Sequence, residues 1–236
     1  MIERIPPKSY QAVVKIVVDE TPSVYTLHLK LPEPMRFYPG QYVMVRYLKD
    51  GKRINKPYSI ASAPIDLRHL DLCIKRVDGG HCSNYLYHQK AGDTVEVFGP
   101  MGNFVLNEQS EKPVLFIAGG SGIGPIRAMI HYLIATGSQR EFWLFFGNRN
   151  SEEIIYHQEF LRLAEQNPRF KYHPVLSRQD WTGERGYVQD VMQRYIQEFT
   201  EFEAYICGLP DLVNTNRELL IAKGIAPRNV HHEVYV

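Results

Sequence analysis

Several things this chain has little of narrow what it can be. Its 236 residues include three cysteines, Cys73, Cys82 and Cys207. They make no C-x-x-C pair, no disulfide framework and no set of four thiolates for an iron–sulfur cluster, which favours a reducing compartment. An excess of one charge is missing too. Lys+Arg number 27 and Asp+Glu 26, a formal net charge of +1, so no basic stripe offers itself to nucleic acid. No apolar run reaches the roughly 18 residues of a membrane span, so no membrane insertion is expected. The opening Met1-Ile2-Glu3-Arg4-Ile5-Pro6-Pro7 lacks the apolar core of a signal peptide, and a cytoplasmic location is expected. No Ser–His–Asp arrangement stands out. The His231-His232 pair has no cysteine or carboxylate at metal-ligand spacing and reads as surface or packing, so no metal site is expected.

What is present is a change of period partway along. Up to about residue 108 the chain reads as short β-rich runs between Pro, Gly and Asp turns: 10–19, 24–31, 41–48, 57–62, 69–77 and 94–98. Leu70, Leu72 and Ile74 alternate with Asp71, Cys73 and Lys75, the pattern of a half-buried strand. Only residues 82–89 look helical here. Six strands at this spacing predict a small antiparallel β-barrel domain over residues 1–108. The polar stretch Asn107-Glu108-Gln109-Ser110-Glu111-Lys112 ends at Pro113, and beyond it strands and helices alternate. Strands at 114–118, 142–146, 170–176, 204–206 and 230–236, with helices between them, predict a second domain over residues 109–236. This would be an α/β domain with a five-stranded parallel sheet.

The sharpest local signal opens that second domain. Val114-Leu115-Phe116-Ile117-Ala118 reads as a buried strand, Gly119-Gly120-Ser121-Gly122-Ile123-Gly124 as a tight turn, and Pro125 suits a first helical turn. Such a strand–turn–helix aims backbone N–H groups and a positive helix end at an anion, usually a phosphate. The spacing is not the G-x-G-x-x-G dinucleotide fingerprint, and the next strand ends without an acid to take a ribose hydroxyl pair. In a parallel sheet, ligands bind beyond the carboxyl ends of the strands. Those ends carry Arg149, Ser177 with Arg178 and nearby Arg185, and Cys207-Gly208. Three guanidinium forks and a hydroxyl suit a phosphate monoester, which favours NADPH over NADH.

Five motifs in register carry a resemblance. Lys56-Pro57-Tyr58-Ser59, Gly79-Gly80-His81-Cys82-Ser83-Asn84 and Gly99-Pro100-Met101-Gly102 are similar to the flavin-binding half of the ferredoxin–NADP reductase family. The Gly119–Pro125 turn, Cys207-Gly208 and Glu233-Val234-Tyr235 resemble its nicotinamide half. The likeness covers nearly the whole chain in the right order. It implies that Tyr58 flanks the flavin ring, with Ser59 hydrogen-bonding near the position that receives hydride. Lys56, where the family usually has arginine, would face a flavin phosphate as a point charge rather than a fork. Gly79, Gly80, Cys82, Ser83 and Asn84 would cradle the pyrophosphate, and Ile74 and Lys75 join the expected cofactor-binding set.

On the other side, Gly120, Ser121, Gly122, Ile123, Gly124 and Pro125 would hold the nicotinamide dinucleotide. Cys207 and Gly208 would position the hydride-donating ring. Glu233 would relay a proton or fix the nicotinamide amide, and Tyr235 would cover the flavin face until nicotinamide displaces it. Taken singly, Tyr58 is an ordinary strand tyrosine, Ser83 a helix N-cap, Cys207 a core thiol and each arginine a solvated side chain.

The implied activity is hydride transfer from NAD(P)H, preferably NADPH, to bound FAD rather than FMN. Electrons would then pass to a separate ferredoxin, flavodoxin or oxygenase component. Two alternatives stay open: a free-flavin reductase, and a non-enzymatic flavin- or nucleotide-binding subunit of a larger complex.

Overall fold

The structure, a computed structural model, describes residues 4–49 and 51–235. The chain divides into two compact units. One holds residues up to Leu106 together with Arg127–Ala135, and the other holds Asn107–Ile126 and the residues from Thr136 onward.

The first unit is an antiparallel sheet of β1 (Lys8–Thr21), β2 (Val24–Lys30), β3 (Tyr42–Lys49), β4 (Lys52–Ser59), β5 (His69–Lys75) and β6 (Thr94–Met101), in the order β4-β3-β6-β1-β2-β5. A bridge between Ile60 and Leu72 brings the far side of β4 against β5 and curls the sheet towards a barrel. Strand β1 shows why: Tyr10, Ala12 and Val14 turn inward while Gln11 and Lys15 face out, and breaks in register after Val14 and Asp19 add curvature. The inner face gathers Tyr25, Leu27, Leu29, Val43, Val45, Leu70, Leu72, Val95 and Val97 into one core. A short helix, α1 (His81–Tyr87), follows β5 and sends Cys82 and Leu86 into that core.

Two local expectations change. The strand expected at 57–62 lies at Lys52–Ser59, because it pairs along its full length with β3 as a hairpin. Strand β5 is not half-exposed, since Asp71 and Cys73 are buried as well as Leu70, Leu72 and Ile74. Its outward face is covered in part by Arg127, whose guanidinium reaches Asp71 Oδ2 at 3.0 Å and Ala61 O at 2.9 Å.

The second unit is a parallel sheet of β7 (Val114–Gly119), β8 (Phe142–Asn148), β9 (Phe170–Leu176), β10 (Glu184–Arg185), β11 (Glu203–Gly208) and β12 (Val230–Val234), ordered β10-β9-β8-β7-β11-β12. Five strands were expected; the sixth is the two-residue β10, too short to leave a period in the sequence. The connecting helices are α2 (Ile123–Ala135), α3 (His157–Gln166), α4 (Val188–Tyr195) and α5 (Pro210–Ala222). Residues 114–118 are all buried, as a central strand covered on both faces requires.

The polar stretch that reads as a boundary is bound into this second unit. Asn107 N–H donates to Tyr205 Oη at 2.8 Å, and Arg140 donates to Asn107 O at 3.0 Å and Lys112 O at 2.5 Å. The same guanidinium pairs with Glu203 Oε2 at 3.0 Å, both side chains being buried. His231, on β12, sits 3.1 Å from the other Glu203 oxygen and stacks on Tyr205, a packing role. Among the described residues no helix is long and apolar enough to cross a membrane.

Candidate functional site

In the first unit the candidate residues lie where β4 ends and α1 begins. Hairpin pairing sets Lys56 opposite Val45, Tyr58 opposite Val43 and Ser59 opposite Tyr42. Lys56 and Pro57 are exposed, Tyr58 is half-buried and Ser59 is buried. Tyr58 packs against the barrel core, and its hydroxyl donates to the Cys82 sulfur; burial pushes the pKa of both groups up. Lys56 is close enough for its charge to act on Cys82. The sequence-distant pieces 56–59 and 82 are therefore neighbours.

The loop before α1 is held by side chains. Gly79 has φ +71°, which favours glycine, and a Cβ on Gly80 would meet Ser83 Oγ and Val77 O at 2.9 Å. Ser83 Oγ accepts from Val77 N–H at 3.2 Å and donates to Gly80 O at 3.4 Å. Asn84 Nδ2 donates to Val77 O at 3.0 Å and Gly80 O at 2.6 Å. Tyr25 Oη donates to Ser83 O at 2.6 Å from across the barrel. The Ser83 hydroxyl, expected to reach phosphate oxygens, is turned inward as a clamp on its own loop, and no side chain caps the helix. Ile74 is fully buried in the core, so it can offer a ligand only its backbone, whereas Lys75 is exposed.

The second unit builds its site from backbone. After β7 the chain makes a 3-10 turn, Gly120–Gly122, and enters α2. A Cβ on Gly122 would lie 2.5 Å from Cys207 O and 2.8 Å from Gly208 N. This close approach explains the glycine, because β7 and β11 are adjacent and place Ala118 beside Cys207. Pairing of β11 with β12 then sets Glu233 opposite Cys207, and Tyr235 N–H donates to Gly208 O at 2.8 Å. Gly120, Ser121, Gly122, Cys207, Gly208, Glu233 and Tyr235 thus converge at the carboxyl ends of three neighbouring strands. Ile123 and Pro125 are buried and anchor the helix start. Cys207 is fully buried, and burial raises the Glu233 carboxyl from 4.5 to about 7. Val236 lies outside the described residues.

Comparison with known proteins finds two domain families along the chain. Residues 11–106 match the oxidoreductase FAD-binding domain family and residues 116–218 the oxidoreductase NAD-binding domain family. Ferredoxin–NADP reductase B of Sorangium cellulosum is 36% identical over 208 residues, covering 84% of this chain and 85% of that protein. The chain belongs to the ferredoxin–NADP reductase family. The reductase component of phenol 2-monooxygenase from a Pseudomonas species is 33% identical across 97% of the chain, which spans 66% of that protein's length. Among solved structures, the cytochrome P450 reductase of Amycolatopsis superposes with a TM-score of 0.89 at 29% identity, over 97% of this chain and 70% of that one.

The residues present fit the two nucleotides of a ferredoxin–NADP reductase. Gly79 and Gly120 leave open space where a side chain would stand, as close approach by a pyrophosphate requires, while Gly80 and Gly122 are packed against the protein's own atoms. The arginines lie along one rim. Arg178 N–H donates to Arg149 O at 3.1 Å, and Arg185 sits beside Leu176 on β10. Strand β8 ends at Asn148 without an acid, as expected, but acids follow on the rim. Glu153 Oε2 accepts from Arg149 N–H at 3.3 Å, and Asp180 pairs with Arg185. A short helical turn at Ser151–Glu153 and the loop before β10 bring these carboxylates back, so the last residue of a strand alone does not reveal them.

Sequence reasoning also missed Tyr25 and Leu212. Tyr25 is 58 residues from the Ser83 carbonyl it holds, and Leu212 supplies the side chain that would crowd a Cβ at Gly119. Neither carries a local signal.

Proposed function

We propose that this chain is an NAD(P)H-dependent flavoprotein reductase that binds FAD, takes hydride from the nicotinamide and delivers electrons to a separate acceptor protein. The observation that carries the reading is the convergence of the Gly120–Gly122 turn, Cys207-Gly208, Glu233 and Tyr235 at one sheet end, in a chain that also carries an FAD-binding domain. Bound flavin accepts hydride from nicotinamide and can release the two electrons singly.

The chain's residues supply position and protons. The glycine turn offers N–H groups to the dinucleotide phosphates, and the buried Cys207 sets a wall for the nicotinamide ring. Glu233, whose carboxyl burial pushes up to about 7, can hold the nicotinamide amide or pass a proton. Tyr58 and Ser59 would hold the flavin ring and Lys56 its phosphate, and Tyr235 would supply an aromatic face for the ring. Arg178, exposed on the rim, and its neighbours Arg149 and Arg185 take a 2′-phosphate, favouring NADPH. The acceptor is a ferredoxin, a flavodoxin or an oxygenase component, the last in keeping with the phenol 2-monooxygenase relative. Three cysteines that form no disulfide suit a cytoplasmic, reducing setting.

Anaerobic titration of the purified protein with NADPH and NADH in parallel, read by the flavin spectrum, tests this. The expected result is a yellow protein that bleaches with NADPH at lower concentration than with NADH. A protein that retains no flavin on gel filtration but turns over added flavin would establish the free-flavin reductase instead. Bound flavin that neither coenzyme bleaches would make it a non-enzymatic subunit.

A further inference from the structure

A cluster on the first unit lies apart from every residue assigned above. His28 on β2 and Asp71 on β5 are directly opposite in the antiparallel pairing, and His69 precedes Asp71 by two residues. Residues i and i+2 of a strand share a face, so all three side chains meet on one side of the β2–β5 pair. His28 Nδ1 and His69 Nε2 each lie 2.6 Å from the same oxygen, Asp71 Oδ1. The three potential ligand atoms all fall within 4.8 Å of one another. Asp71 is buried while the two imidazoles reach the surface, with side chains 25% and 40% exposed, so an ion from solvent can arrive between them.

We propose that His28, His69 and Asp71 form a binding site for a single divalent transition-metal ion of the zinc class. Two imidazoles and one carboxylate oxygen are ligands that suit zinc, with a fourth position left for water. Asp71 Oδ2 is already engaged by Arg127 at 3.0 Å, which orients the carboxylate and leaves Oδ1 as a monodentate ligand. Each histidine would present a lone pair rather than an N–H towards Asp71 and carry its proton on the other ring nitrogen. The Arg127 charge opposes a second cation, which weakens the affinity. The ion would act as a clip. Strand β5 ends the sheet order, and a bond from β5 to β2 secures that end. No spacing motif announces the site, because His28 and Asp71 are 43 residues apart.

The test uses the flavin-bound protein, stripped with a chelator and dialysed against zinc, with bound zinc counted by atomic spectroscopy and Tm measured with and without the ion. The wild type should retain one zinc that is absent from the His28→Gln/His69→Gln double variant, and zinc should raise Tm in the wild type only. Each single variant should weaken binding at least about tenfold. His231→Gln/His232→Gln should bind zinc as the wild type does. Equal zinc uptake by the wild type and the His28→Gln/His69→Gln variant, or none by either, would show an ion-pair cluster and overturn the proposal. Should that double variant not fold, X-ray absorption at the zinc edge of the wild type decides directly. Two imidazoles and oxygen support the site; sulfur ligands or water alone refute it. These readouts do not depend on coenzyme oxidation, so the metal site and the reductase reading stand or fall separately.

Discussion

The two units prepare for a phosphate-bearing ligand in different ways. In the barrel, the Gly79–Gly80 loop is held by side chains: Ser83, Asn84 and Tyr25 together make five hydrogen bonds to the loop and helix backbone around it. In the α/β unit, the Gly120–Gly122 turn is held by backbone against backbone, with Cys207 and Gly208 standing where a Cβ on Gly122 would go. Side-chain clamps can be removed one at a time, each at modest cost. A backbone contact has no partial version, because the smallest side chain already collides. The barrel cradle should therefore weaken by degrees and the α/β cradle fail at once.

The largest expected effect lies beneath the second cradle. Arg140→Met leaves the buried Glu203 carboxylate without its cation, and such a loss costs about 3–5 kcal/mol. Chemical denaturation should show it, whereas a loss under about 1 kcal/mol would mean that Asn107 and His231 suffice for Glu203. Next comes Gly122→Ala, which must move Cys207 or the turn at a cost of about 1–3 kcal/mol. It should raise KM for NAD(P)H at least about tenfold while the flavin spectrum stays intact. Wild-type kinetics in this variant would break the contrast between the two cradles. Arg178→Ala should raise KM for NADPH about tenfold and leave that for NADH nearly unchanged, and equal effects on both would remove the 2′-phosphate role.

Asn84→Ala removes two of the barrel clamps and should cost about 1 kcal/mol, with weaker flavin retention on dilution and no change in coenzyme choice. The smallest effect concerns Glu233. Its carboxyl titrates near 7 when folded against 4.5 ordinarily, so the fold prefers the neutral acid. That preference contributes stability below pH 4.5, and the contribution is lost as pH rises to about 7. Glu233→Gln should flatten this slope of Tm against pH. A slope that persists in the variant would assign it to another group.

Much of this was legible in the sequence, for reasons that differ by residue. The run 114–118 is apolar throughout because it is covered on both faces, and the turn after it is glycine because Cys207 is too close for anything else. Both constraints act on the residue itself and so appear in its identity. Asp71 and Cys73 looked like the exposed half of a strand because alternation records only the barrel side. The Arg127 side chain that covers Asp71 comes from a helix 56 residues away. Ser83 was legible as polar and near a helix start, but its rotamer, and hence whether it serves a ligand or its own loop, was not. Asp180 and Glu153 were invisible as rim acids because loops, not strand ends, return them.

Sequence by itself determined the two periods, most of the strands along the chain, the glycines at both cradles and the family resemblance. Each of these is a local demand of backbone geometry or burial that admits few residue types. Tertiary structure alone decided which polar groups are spent on one another. Ser83 is committed to its loop, Arg140 to Glu203, and His28 and His69 to one oxygen of Asp71. Hydrogen bonds and ion pairs across tens of residues need only compatible chemistry at both ends, and many residue pairs satisfy that until the fold brings one pair together.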